Sequence, residues 1–514
     1  MKRASGILLS IASLPSKYGI GCFSKEAYEF VDFLEKSGQS YWQILPLGQT
    51  GYGDSPYQSF STFAGNPYFI DLEKLIEAGY LTKEEVDACD FGQERMYVDY
   101  EKIYRARYDI LRRAYHNSPY AAAAVGGADG DRNGSAAEKE KVQQFEAFIG
   151  QNAAWLPDYA LFCAVKEQYD GICYTDWDED IRRRSPEALE RWRTRLADEI
   201  RFYEFQQYLF HTQWHALKAY ANGKGIEIIG DIPIYVAFDS ADTWSHPELF
   251  EIDEEGYPTV VAGCPPDAFS ATGQLWGNPI YRWDYHKETG YAWWISRIRA
   301  CFDLYDVLRI DHFRGFDEYY AIPYGDETAE HGSWRPGPGL ELFDAIRGAL
   351  GEQKIIAEDL GYMTESVIRM VKDSGFPNMK VLQFAFNPGT DSEYLPHNYV
   401  RNCVAYTGTH DNETMAGWLS EGDPRETDFA RKYAGADEKD PVDSMIRLAL
   451  MSVADTAIVP IQDYLRLGNE ARMNHPSTLG GINWRWRLVP GQLTDELAAQ
   501  MRELAWYYGR QPRT

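Results

Sequence analysis

The sequence predicts an α/β fold, a (β/α)8 barrel with large, mainly helical insertions between strands and no C-terminal β-sandwich domain. Two observations carry this. Eight short apolar runs recur, at Ile7–Leu9, Tyr41–Leu47, Ile226–Ile229, Val307–Ile310, Ile355–Ala357, Val381–Phe386, Val404–Tyr406 and Ala457–Ile461. Helix-length amphipathic segments such as Lys25–Ser37 and Leu342–Leu350 lie between them. Continuous apolar strands alternating with helices belong to a parallel sheet covered on both faces, and eight of them suggest closure.

A chain of 514 residues is long for one domain, yet decorated barrels reach that size. The reading is a single catalytic barrel over 1–514, interrupted by a helical insertion at about 65–220, a second at 238–295 that bears a lid, and a small one at 315–340. Within the first, Ser118–Ala137 is rich in Ala, Gly and Asp and reads as a mobile loop. The N-terminal stretch MKRASGILLSIASLPS mimics a signal peptide only superficially. Its apolar run is short and has no small-x-small cleavage site, so it reads as a first strand, Gly6 to Ile11.

Lys and Arg total 51 against 78 Asp and Glu, a formal net charge of −27. Such a surface repels phosphate backbones and anionic lipid, which argues against nucleic acid and membrane partners. No run of 18 apolar residues is present to span a bilayer. The seven cysteines, at 22, 89, 163, 173, 264, 301 and 403, show no short zinc or redox spacing and fit a reducing, cytoplasmic setting. Aromatic residues make up 15% of the chain, including 36 Tyr and 15 Trp, and tilt the reading towards a carbohydrate ligand.

In a barrel, the C-terminal strand ends face the active site. Here Asp231, Asp311, Glu358 with Asp359, and Asp411 each follow a different candidate strand. Each alone could simply cap the next helix. Together, flanked by Arg309, His312 and His410, they match the needs of glycoside cleavage, one carboxylate ionised and one carboxylic acid kept protonated. A divalent-metal site is the competing chemistry, since Asp-His at 311–312, Glu-Asp at 358–359 and His-Asp at 410–411 could act as ligands. Arg309 alternates onto the same strand face as Asp311, where a guanidinium opposes a metal, and no HxH or HExxH spacing occurs. No cofactor and no metal are therefore expected.

The segments LRIDHFRG (308–315), IIAEDLG (355–361) and YTGTHDNET (406–414) resemble the catalytic strand ends of the amylomaltases, or disproportionating enzymes. These are 4-α-glucanotransferases of the α-amylase clan, glycoside hydrolase family 77. GYGDSPYQSFSTFAGNPYFIDL (51–72), GDIPIYVAFDSADTW (230–244) and PPDAFSATGQLWGNPIY (265–281) are similar to the same family, in order along nearly the whole chain.

The resemblance implies that Asp311 is the nucleophile, oriented by Arg309, and Glu358 the general acid and then base. It implies that Asp411, with His410 and His312, holds the distorted donor sugar, and that Asp231 sits at the base of the site. Tyr57 would stack on the donor, Tyr52 would mark a secondary glucan groove, and Trp276 would offer an acceptor platform. Asp267, Phe269 and Asn278, in the same lid segment, would also meet substrate. The substrates implied are α-1,4-glucans and maltooligosaccharides.

A hydrolase would share every catalytic residue, while a non-catalytic binding module would have lost one. The family's lid usually reads PPDYF, with tyrosine where this chain has Ala268. Ala268→Tyr is expected to raise transfer relative to hydrolysis. An unchanged product ratio, read by chromatography of maltooligosaccharide digests, would rule out that role for the lid position.

Overall fold

The computed structural model describes residues 3–51, 53–121, 135–266, 270–361 and 363–512. Its strands are β1 (Ala4–Leu8), β2 (Tyr41–Gln43), β3 (Glu227–Ile232), β4 (Val260–Cys264), β5 (Gln274–Pro279), β6 (Val307–Ile310), β7 (Glu318–Pro323), β8 (Ser333–Pro336), β9 (Ile355–Ala357), β10 (Asn378–Val381), β11 (Cys403–Tyr406) and β12 (Thr456–Pro460). Eight of them close a parallel barrel in the order β1-β12-β11-β10-β9-β6-β3-β2, which is chain order around the ring. Nearly every residue of these strands is buried, because the barrel fills one face and helices cover the other. The helix Lys25–Lys36 shows how the cover forms. It turns Ala27, Phe30, Val31 and Leu34 inward, and Phe30 meets Trp42 of β2 edge to face at 4.9 Å.

All eight apolar runs touch a barrel strand, but their edges move. The run Val381–Phe386 follows its strand more than it forms it: β10 is Asn378–Val381, and 382–384 make a 3-10 turn. Two things hid the strand. Lys380 interrupts its pattern, buried with its ammonium 2.5 Å from Glu393 and over the Tyr394 ring, and the turn beyond is itself apolar. β1 ends at Leu8, and Ile11 starts a 3-10 turn capped by Ser10. β2 ends at Gln43, after which Ile44 still donates to the Ile229 carbonyl at 2.9 Å.

Between β2 and β3 the chain is helical. Leu156–Gln168 is buried almost all round and packs beside the 27-residue helix Ala197–Gly223. Of the segment read as a mobile loop, 122–134 lies outside the described residues. Its flanks are ordered: Tyr120 is buried, and Ser135 opens the helix Ala136–Gln151 with a reciprocal capping box to Glu138. The chain after β3 and the chain after β6 are not purely helical. Each gives two strands, and these join as one antiparallel sheet in the order β5-β4-β7-β8.

Cys22, Cys89, Cys163, Cys173, Cys301 and Cys403 are free thiols. Among the described residues, no helix is long and apolar enough to cross a membrane.

β3 carries the first site residue, and it runs close to the chain entering β6. A Cβ built on Gly230 would lie 2.1 Å from Cγ of the Tyr305 ring. Gly230→Ala is therefore expected to destabilise the fold by about 2 kcal/mol through overpacking. Urea unfolding reads this, and a wild-type midpoint would refute it.

Candidate active site

The register of β3 and β6 sets Asp231 beside Arg309. Both side chains face the barrel mouth, and Asp311 follows two residues after Arg309 on the same side. The guanidinium of Arg309 donates through Nη1 to both oxygens of Asp231, at 2.7 and 2.6 Å, and through Nη2 to Asp311 Oδ1 at 2.8 Å. Asp231 is fully buried, whereas the Asp311 side chain is 31% exposed. One cation thus serves a hidden aspartate and an open one. Asp231 lies inside β3 and not beyond its end.

Glu358 follows β9. Its Oε2 accepts from the backbone N–H of His312 at 2.5 Å and its Oε1 from that of Leu360 at 2.8 Å. Burial, with the nearby Asp311 charge second, pushes its carboxyl up to about 8, against the opposing pull of Arg309 and the two N–H donors. The rim therefore holds two carboxyls in different states of support: Asp311 on a guanidinium, Glu358 desolvated and favouring its proton.

The backbone that meets Glu358 is itself unusual. His312 adopts a left-handed conformation, φ 53° and ψ 47°, uncommon for a bulky residue and typical of constrained functional turns. Its imidazole packs edge-on against Trp276 of β5 at 4.8 Å, and burial lowers it to about 3, so it stands neutral.

A second group closes the opposite side. Tyr57, on the chain after β2, donates to Asp231 Oδ2 at 2.9 Å, and its Oη lies 3.0 Å from His410 Nε2. The two rings stack at 5.3 Å with 17° between planes. His410 Nε2 is 3.4 Å from Asp411 Oδ2.

Three residues here were not read from the sequence. Asn474 donates to Asp411 Oδ1 at 2.7 Å, Arg472 donates to the Asp411 carbonyl at 2.8 Å, and Trp484 tilts against both Tyr57 and His410. Their one available signal was position, on the chain that follows the last barrel strand and so returns over the same rim.

Other predicted residues stand apart from this centre. Asp359 is turned to β10, accepting from Asn378 Nδ2 at 2.9 Å and from the N–H of Met379 at 3.0 Å. Asn278 spends its amide on structure, donating to the Val236 carbonyl at 2.7 Å and accepting from Gln58 at 3.3 Å. It ties β5 to the chain carrying Tyr57. Tyr52, Asp267, Ala268 and Phe269 lie outside the described residues.

A closed parallel barrel with these carboxyls at the ends of its strands defines a (β/α)8 protein with an acidic rim. A family model described as 4-alpha-glucanotransferase, for glycoside hydrolase family 77, matches residues 9–493. The chain belongs to that family. It is 48% identical to a 4-alpha-glucanotransferase of Clostridium butyricum, over 98% of this chain and 100% of the relative. It is 46% identical to a 4-alpha-glucanotransferase of Thermus thermophilus, over 98% of each. An amylomaltase from Streptococcus agalactiae, solved in complex with acarbose, superposes with a TM-score of 0.93 at 43% identity, covering 99% of this chain and 100% of that one.

The raised Glu358 carboxyl has a thermodynamic sign. Between its ordinary 4.5 and about 8 the folded protein holds a proton that the unfolded chain has lost. The stability contributed by this group is complete below that window and falls as pH rises through it. Glu358→Gln cannot ionise, so its melting temperature relative to wild type is expected to climb from about pH 5 to about pH 8. A flat difference across that range would show that Glu358 does not titrate there.

Proposed function

We propose that this chain transfers a segment of an α-1,4-glucan to the 4-hydroxyl of an acceptor glucose or glucan, by a retaining double displacement. The observation that carries the reading is the division of labour between Asp311, held by Arg309 at 2.8 Å, and Glu358, buried and pushed up to about 8. A buried carboxyl that keeps its proton suits the acid, and a carboxylate held by a guanidinium at the open rim suits the nucleophile.

In the first step an Asp311 oxygen attacks the anomeric carbon. The bond to the glycosidic oxygen breaks, and that oxygen takes the Glu358 proton. In the second step Glu358 accepts the proton of the acceptor's 4-hydroxyl, whose oxygen displaces Asp311. Asp411, aligned by Asn474 and Arg472, is suited to the donor's hydroxyls. Tyr57, braced by Asp231 and His410, offers the ring face away from His410 to a sugar. His312, neutral at working pH, can accept or donate one hydrogen bond without adding charge beside Asp311.

Transfer requires the glycosyl-enzyme to meet a sugar before water. The strands β4 and β5 flank the lid segment, and Trp276 of β5 rests on His312, so the lid is rooted on the catalytic rim. We read the whole chain, 1–514, as one catalytic unit with its insertions arranged around this cleft. The metal alternative loses ground on geometry. Arg309 fills the space between Asp231 and Asp311 with three hydrogen bonds, and Asp359 is turned away to β10.

Incubation with maltotriose is expected to give glucose and a ladder of longer maltooligosaccharides, with or without EDTA. Glucose and maltose with no longer products would make the protein a hydrolase using the same residues. Asp311→Ala and Glu358→Gln are each expected to lower turnover by at least about two orders of magnitude in a folded protein. A variant keeping more than a tenth of the rate would overturn its residue's role.

A further inference from the structure

Away from the catalytic rim, the helix Ala197–Gly223 presents His211 and His215 one turn apart on one side. Asp303, in the last turn of the helix Ala292–Leu304, faces them. The three side chains bring ligand-type atoms within 4.8 Å of one another, and His215 Nε2 lies 3.0 Å from Asp303 Oδ2.

His211 is the telling member. It is more than nine-tenths buried, and its Nε2 has no hydrogen-bond partner among the described residues. Its ring is walled by Phe148 at 5.3 Å and Phe210 at 5.3 Å. Burial, with His215 second, lowers it to about 4, leaving a neutral imidazole with a free lone pair. A buried nitrogen without a partner is uncommon and asks for one.

The nearest cation does not take the carboxylate. Lys218 Nζ donates to the Asp303 backbone carbonyl at 3.0 Å and lies 3.6 Å from Asp306. Two imidazoles at i and i+4 with a carboxylate from a second helix, and an exposed side for water, suit a first-row divalent ion of borderline softness.

We propose that His211, His215 and Asp303 form a binding site for a divalent transition metal, zinc first, that fastens these two helices together. Each helix leads into a barrel strand: Ala197–Gly223 into β3, and Ala292–Leu304 into β6. The site lies near the N-terminal ends of those strands, opposite the rim where Asp231 and Arg309 meet. It holds the fold and takes no part in the transfer.

The test uses full-length protein without a polyhistidine tag, stripped by chelator and titrated with cobalt as an optical probe. Wild type is expected to bind one cobalt per chain with a tetrahedral visible spectrum, to release it to an equivalent of zinc, and to melt higher with zinc. His215 is half-exposed and Asp303 exposed, so His215→Ala and Asp303→Asn will fold, and each should bind at least about tenfold more weakly. His211→Ala should abolish the spectrum. No spectrum and no retained zinc in wild type, or undiminished binding in His215→Ala, would overturn the proposal. Maltotriose turnover of the stripped protein reports on the transferase reading independently.

Discussion

The guanidinium of Arg309 is the interaction on which the site depends. A buried positive charge is tolerable only when nearly all its donors are met, and here three hydrogen bonds go to two aspartates on adjacent strands. Asp231 in turn receives Tyr57, and Tyr57 reaches His410, so the cation's influence passes from β6 through β3 to the chain after β2 and the chain after β11. Removing Asp231 would leave Arg309 leaning on Asp311 alone. Breaking such buried pairs typically costs about 3–5 kcal/mol, so the hidden Asp231 is as constrained as the open Asp311.

Against this fixed charge, Glu358 is tuned mainly by burial and held in place by backbone. Its two acceptor contacts come from the N–H groups of His312 and Leu360, and neither depends on the identity of a neighbouring side chain. The left-handed turn at His312 is what aims the first of these. One strained residue therefore serves two carboxyls, since it directly follows Asp311 and orients Glu358.

Much of this was legible in the sequence because barrel strands are apolar on both faces and end in conspicuous polar residues. Arg309 and Asp311 announce their shared face by a spacing of two. Where the pattern failed, a competing demand had overridden it. β10 carries Lys380 for an ion pair with Glu393, so apolarity pointed to the turn beyond. Asp359 resembled Glu358 in every sequence respect, yet strand alternation turned it to β10. Asn474, Arg472 and Trp484 follow the last strand, in a polar loop without periodicity, and only the three-dimensional return of the chain over the rim reveals them. The motif that holds Asn278 gave no sign of its internal partners, the Val236 carbonyl and Gln58.

The antiparallel sheet has a consequence for how this architecture can diverge. β4 pairs with β5 from its own segment and with β7 from the segment after β6, so the two excursions share one set of backbone hydrogen bonds. Neither can be shortened or exchanged without stripping partners from the other and opening a raw strand edge to solvent. Chimeras between related enzymes should therefore inherit both excursions from the same parent. Because β5 carries Trp276 onto His312, such a joint exchange would carry part of the barrel rim with it, making the pair a natural unit for grafting.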